Sequence, residues 1–445
     1  MRSPFSYYKR GDKTSSNPLD LVTNGAVQLE NAALLLSKIS ILGDFQPSSL
    51  WDGVEKVWKK PRFKPKETNI DELKYVFRKL IRNRIKGNHN IAVSFSGGLD
   101  SLAILKTVTS LLDKPRLQCT AITADLTDDT GNSAATRARN IINQLSIPCQ
   151  HVVVKPDGAS QAPSWNPRGP RLEAMPRIAR AISDHASKHN ASVLFLGDGA
   201  DETLRSPRYL VWRLLRDLDF STLKSYITDI ASRGVYSVRD EFLCSLGYLS
   251  PHNISSKLYW AINWPDLCHL GNHKYLNKRY RQRVNEWSSQ WLTNHLSNNL
   301  PNEGSWCDFD ALDALYPSDP FPDAGNIPTY SPFLEDRFVE KASSIPLTER
   351  YNSNYTSRYR RVKSLVIDLI DVNDHSYLPD YKCIYSKSFK RSISNNIDQI
   401  DVLYDYSLIR DDLSTKDVYP SLLLRMIVLS RWLKEAYNKG FDIKA

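Results

Sequence analysis

The sequence lacks the features that mark secretion, membrane insertion or a metal cluster. Its first residues, MRSPFSYYKRGDK, have no apolar core of a signal peptide. The most apolar later run, YPSLLLRMIVLSRWL, is broken by Arg425 and Arg431 and does not read as a membrane span. These absences predict a cytoplasmic protein with no membrane partner. Six cysteines, at 119, 149, 244, 268, 307 and 383, show no C-x-x-C spacing and no histidines placed to complete a zinc set, so reduced structural thiols are expected. No internal repeat or low-complexity tract breaks the chain.

What is present is a globular composition: 445 residues, 41% of them hydrophobic, enough for roughly two to three domains around a sizeable core. The 59 Lys and Arg outnumber the 49 Asp and Glu, giving +10, which suits nucleic acid, an acidic peptide or a polyphosphate and does not choose among them. A partly apolar cap, AVQLENAALLLSKISIL, is followed by a basic, proline-containing connector, KVWKKPRFKPKE, which places a boundary near residue 68. Beyond it, helical periods (IDELKYVFRKLIRNRI, SLAILKTVTSLL, a helix through Ala138, Ile141, Ile142 and Leu145, RIARAISDHASKH) alternate with short apolar runs (IAVSFS, LQCTAITAD, HVVV, SVLFLG). That alternation predicts an α/β fold, a parallel sheet with helices on both faces. After residue 202 the periods are mostly helical, which predicts a helical elaboration on the sheet.

In such a sheet, ligands sit beyond the carboxyl ends of the strands. The stretch NIAVSFSGGLDSLAIL runs from a strand into Ser96-Gly97-Gly98-Leu99-Asp100-Ser101 and then a helix. Two glycines let backbone N–H groups approach an anion, and the helix N-terminus adds partial positive charge, so the loop suits phosphate. Asp100 would repel phosphate unless a divalent cation stood between them, which implies magnesium. No Gly-Lys-Ser/Thr follows, so the γ-phosphate transfer of a Walker A loop is not implied.

The motif SGGLDS resembles the pyrophosphatase loop of enzymes that split ATP to AMP and pyrophosphate. VLFLGDGADETL, ending a second apolar strand, resembles a segment of the asparagine synthetase family. That resemblance makes ATP and Mg2+ the cofactors, Ser96, Gly97, Gly98, Asp100, Ser101, Gly197 and Asp201 the nucleotide-binding residues, and Asp100 and Asp201 the metal ligands. Asp198, between the glycines of GDG, stands where the family carries a residue that orients or deprotonates the acceptor. The glycines that usually follow are replaced here by TLRSPRYL. YSPFLEDRFVEKASSIP resembles the segment that packs beside the synthetase site, although GNIPTY lacks the family's acidic residue just before it. LPDYKCIYSKSF aligns with the segment that delivers an active-site lysine, which implies that role for Lys387.

SSLWDGVEKVWKKP resembles the end of the family's glutaminase domain, but no cysteine precedes residue 119. Residues 1–67 therefore read as a shortened glutaminase-like remnant and basic linker, and 68–445 as the synthetase domain, of the adenine-nucleotide alpha hydrolase-like fold. A preformed amine, rather than ammonia from glutamine, is the expected nucleophile. Within the superfamily the chain is most similar to a lasso peptide cyclase, through SPFLEDR-VE-A, YSKSFK and ITADLTDDTGNSAATRARNII. This similarity implies that an Asp or Glu side chain of a precursor peptide is adenylated and closed onto the peptide's N-terminal amine. It also implies a leader peptidase and a leader-binding protein as partners. Small-molecule amide or β-lactam synthetases share every motif, and a tRNA-modifying loop ATPase shares SGGLDS but not the other two segments; nucleic acid is not expected as a partner.

Overall fold

A computed structural model describes residues 6–23, 25–37, 40, 48–58, 68–87, 90–112, 118–155, 165–170, 176–206, 210–232, 235–248, 273–298, 327–372 and 374–444. The connector residues 59–67 and the cysteines at 268 and 307 lie outside these. Helix α1 covers Leu29–Leu34, and the helix that follows it over Ile70–Ile85 is α2. Helix α2 starts where the Asn69 side chain accepts the Glu72 amide at 2.9 Å, and buries Leu73, Phe77, Ile81 and Ile85, one side chain per turn.

Strands β5 (Asn90–Ser94), β6 (Gln118–Ala124), β7 (Gln150–Val154) and β8 (Val193–Phe195) alternate with helices α3 (Leu99–Leu111), α4 (Ala134–Gln144) and α5 (Pro176–Lys188). All the pairings are parallel, in the order β7-β6-β5-β8-β9, with β9 at Thr329–Tyr330. The central strands β5 and β8 are apolar through their middles because both faces are covered. Ile91 and Val93 join the core under α2, α3 and α4, whereas Ala92, Ile122 and Leu194 meet Ala181, Ile182 and Ala186 of α5. The chain runs from β5 to β6 and β7 on one side and then to β8 on the other. That reversal opens a crevice beyond the carboxyl ends of β5 and β8. The alternating pattern thus folds as expected, and β9 is an addition whose two residues are too short to show any period.

Beyond β8 come α6 (Ala200–Leu204), the helices Val211–Arg216, Phe220–Ala231, Val235–Tyr248 and Lys278–Asn298, and then α7 (Asp336–Ser343), α8 (Ser364–Ile370), α9 (Ser386–Ser394) and α10 (Pro420–Asn438). This is the mostly helical second half. Near the N-terminus, β1 (Ser6–Arg10) pairs antiparallel with β2 (Lys13–Ser15) and β4 (Glu55–Trp58), while β3 (Ala26–Gln28) pairs in parallel with β10 (Asp442–Lys444). Leu29, Ala33, Leu35 and Trp51 share one core with Met426, Leu429 and Trp432 of α10. Trp51 meets Trp165, Trp432 and Phe441 edge-on at ring-centroid distances of 6.2, 5.9 and 4.8 Å. The indole N–H groups of Trp51 and Trp432 donate to the carbonyls of Pro167 and Asn166. No helix of the described residues is long and apolar enough to cross a membrane.

Candidate active site

The two glycine-bearing turns stand side by side because their strands are neighbours. After β5, Gly97 takes φ +74°, open to glycine, and leads into α3 with Gly98 as its N-cap. The Ser96 and Ser101 hydroxyls lie 3.2 Å apart, and Ser101 Oγ also donates to the Gly98 carbonyl at 3.2 Å, so the two serines close the turn on itself. After β8, a Cβ at Gly197 would stand 3.4 Å from the Ser101 amide nitrogen. Gly199 has φ +87°, and a Cβ there would come within 2.4 Å of Leu334. The second turn is therefore wedged between the first and the Pro332–Leu334 segment, with Ser331 Oγ donating to the Asp198 carbonyl. The YSPFLEDR stretch does pack beside the site.

This wedge brings the carboxylates of Asp100, in the first turn of α3, and Asp201, in the first turn of α6, onto one cation. Lys363 Nζ lies 2.6 Å from Asp100 Oδ1 and 2.6 Å from Asp201 Oδ1. Its side chain is 2% exposed, carried inward at the start of the buried helix α8. A lysine so enclosed needs carboxylate partners, and here it has two. Lys382 Nζ reaches the other oxygen of Asp201 at 2.8 Å. Burial works against the Asp201 charge, yet Lys363 and Lys382 outweigh it and hold the carboxyl well below the usual range. Asp100 goes the other way: burial raises it, the Lys363 charge opposes, and the Asp201 charge adds to the rise. Glu202 is likewise raised, by burial and by the charges of Asp201 and Asp198. Tyr359, its phenol raised by burial and by Asp100, offers its oxygen to the Leu99 amide at 3.4 Å.

The segment from Leu378 to Lys387 crosses the mouth of this crevice as a strap. The buried Arg360 guanidinium donates to the carbonyls of Leu378 and Pro379 and pairs with Asp380 at 3.0 Å. From α4, Arg137 donates to the Tyr381 carbonyl at 2.6 Å, lies over that ring at 4.6 Å and contacts Cys383 Sγ. The Asp129 amide donates to the Ile384 carbonyl at 2.8 Å, and its carboxylate accepts the Lys387 amide at 3.0 Å. Lys387 Nζ donates to the Asp129 carbonyl at 3.1 Å, so its ammonium sits on the β6–α4 loop, and the ammonium between the two aspartates is that of Lys363. Cys119, Cys149 and Cys383 are free thiols; burial pushes Cys149 up to about 11 and Cys119 further, which leaves these two unreactive.

The pair Asp100 and Asp201 fits a divalent cation on the chemistry of its donors, because both carboxylates already converge on a positive charge. Among the described residues no group of three or more His, Cys, Asp or Glu could hold a metal ion. Two carboxylates suit magnesium, which takes its remaining oxygens from phosphates and water. Lys363 and Lys382 escaped the sequence reading. The signal for Lys363 was RVKSLVIDLI, where a lysine opens a run too apolar to lie on the surface.

Residues 72–363 match the model of the asparagine synthase family. No match was found among curated proteins. Among solved structures the chain is similar to the U34-tRNA thiolase NcsA from Methanococcus maripaludis with its 4Fe-4S cluster, at 16% identity over 56% of this chain and 79% of that one, with a TM-score of 0.26.

Proposed function

The chain belongs to the asparagine synthase family, and from that premise we propose that it forms a macrolactam in a lasso peptide precursor. At the general level it is an ATP-using carbon–nitrogen ligase. In the proposed reaction an Asp or Glu side chain of the peptide attacks the α-phosphorus of ATP and pyrophosphate leaves. The peptide's own N-terminal amine then attacks the acyl carbon, AMP leaves, and the product is lighter by one water. The observation that carries the ATP-cleaving half is the pair of aspartates drawn onto Lys363 at the switch point of the sheet.

Ser96, Gly97, Gly98, Ser101 and Gly197 form the turns against which the phosphates lie. Asp100 and Asp201 would hold magnesium, which offsets the charge of the leaving pyrophosphate. Lys363 lies within the same cluster and stabilises the charge that builds as pyrophosphate departs. Asp198 is the proposed base for the amine, and Lys387, at the edge of the strap, acts on the acyl transfer. Support for a peptide as acceptor comes from the rim: Tyr381 and Ile384 are 49% and 63% exposed on either side of Lys382. Apolar side chains at a polar crevice suit a peptide better than ammonia. Tethering amine and carboxylate in one chain would supply much of the rate through proximity. A leader peptidase and a leader-binding protein are proposed partners, since the amine must be uncovered before closure.

The test is purified protein with ATP, magnesium and a synthetic core peptide that has a free N-terminus and an internal Asp or Glu. AMP, pyrophosphate and a peptide lighter by one water are expected, without glutamine or ammonia. ADP as the nucleotide product overturns the loop assignment, and stoichiometric consumption of glutamine overturns the amine acceptor. Turnover of a free amino acid instead of the peptide would point to a small-molecule synthetase.

A further inference from the structure

Asp201 accepts from two ammonium groups, one of which it shares with Asp100. Its Oδ1 accepts from Lys363 at 2.6 Å and its Oδ2 from Lys382 at 2.8 Å, so each oxygen already faces an ammonium. A divalent cation between Asp100 and Asp201 would meet the repulsion of both ammonium groups, which favours one lysine moving away. The two lysines are not equivalent. Lys363 is 2% exposed and also bonds to Asp100, so its departure would leave two partly buried carboxylates facing each other. Lys382 is 64% exposed, and its direct ion pair is with Asp201, while its charge also acts on Asp100. Its backbone is held from both sides, by Arg137 at the Tyr381 carbonyl and by the Asp129 amide at the Ile384 carbonyl. The strap can stay fixed while the flexible four-carbon stem of Lys382 swings.

We propose that Lys382 is a displaceable counter-cation of the nucleotide site. It occupies Asp201 Oδ2 until a divalent cation claims that carboxylate, and its freed ammonium then pairs with the pyrophosphate end of the nucleotide. The exchange keeps the crevice from holding bare negative charge before ATP arrives and from gathering excess positive charge afterwards. Lys382 is thus a positioning residue in the empty site and a phosphate contact in the filled one. The inference rests on the reading of Asp100 and Asp201 as the metal ligands.

The experiment uses the full chain and two binding measurements that need no turnover: Mn2+ binding without nucleotide, followed by paramagnetic resonance, and pyrophosphate binding with saturating Mg2+, followed by calorimetry. Lys382→Ala should bind Mn2+ about two- to fivefold more tightly, because the competing ion pair is worth up to about 1 kcal/mol. The same variant should bind pyrophosphate about tenfold more weakly, having lost one charge-assisted contact. Lys382→Arg should restore both toward wild type. A merely structural role would move the two affinities in the same direction, so parallel changes, or no change in either, overturn the exchange. If wild-type Mn2+ binding is not abolished by Asp201→Asn, the metal assignment fails and the exchange falls with it. Binding lost in Asp201→Asn but indifferent to Lys382 overturns the exchange alone.

Discussion

Two interiors of this protein are built on opposite chemistry. At the end of the sheet, Asp100, Asp201, Lys363 and Lys382 concentrate four charges in one partly enclosed cluster. In the module joining the first and last parts of the chain, Trp51, Trp165, Trp432 and Phe441 interlock with no charged group among them, and the indole N–H groups of Trp51 and Trp432 donate to carbonyls. The aromatic interior stabilises by burial, whereas the ionic one gains little net stability from its charges and holds groups ready for a charged ligand. The difference predicts two classes of residue, those whose loss unfolds the chain and those whose loss stops the proposed chemistry.

Lys363→Ala is the most severe test of that separation. AMP formation should fall about a hundred- to a thousandfold, the range for losing one transition-state electrostatic contact, as read by pyrophosphate exchange. A loss below tenfold would make Lys363 a fold residue. Trp51→Ala attacks the other interior and should cost about 3–5 kcal/mol in urea unfolding. The fraction still folded should bind ATP as before; weakened binding there would show the two interiors to be coupled.

Smaller effects sharpen the contrast within the ionic site. Lys387→Ala should leave ATP affinity near wild type while slowing amide formation about tenfold, since a contact made in the transition state adds little to ground-state binding. Equal losses of both would move Lys387 into the nucleotide site. Asp198→Asn should slow amide formation several-fold near neutrality and recover as pH rises through the amine's pKa of about 7.7–8.0. Loss of adenylation at every pH would assign Asp198 to ATP instead.

The smallest expected effect is on stability. Because the folded-state pKa of Asp201 is depressed, its contribution is complete above the unfolded aspartate value of about 3.9 and is lost as pH falls below that toward the depressed value. Asp100, raised by burial, titrates in the opposite sense. Between about pH 5 and pH 2, wild type should therefore lose about 1 kcal/mol more than Asp201→Asn in urea unfolding. A parallel decline would show that Lys363 and Lys382 do not hold the carboxylate in solution as they do here.

The sequence reveals the parts of the site whose chemistry is local. In SGGLDS and GDGADE the strand, the glycines and the acid are consecutive, so one window carries both the turn and its charge. The alternating periods from residue 70 to β8 likewise disclose the parallel sheet. Lys363 has no local signal of its partner, because Asp100 lies 263 residues earlier, and the spacing after LP marks Lys387 rather than Lys382 on the same strap. Strand β9 has two residues and no period to read. The meeting of Trp51 with Trp432 depends on how the chain returns, which no local pattern records.

That return has a cost in time. Strand β3 pairs Ala26 with Asp442 of its parallel partner β10, which is made long after it. At about 5–20 residues per second, the ribosome leaves β3 without that neighbour for on the order of tens of seconds. During that interval Leu29, Leu35 and Trp51 have no α10 to cover them. The N-terminal segment therefore emerges as an adhesive apolar surface awaiting α10 and β10, and the newborn chain should be a client of holding chaperones until both have left the ribosome.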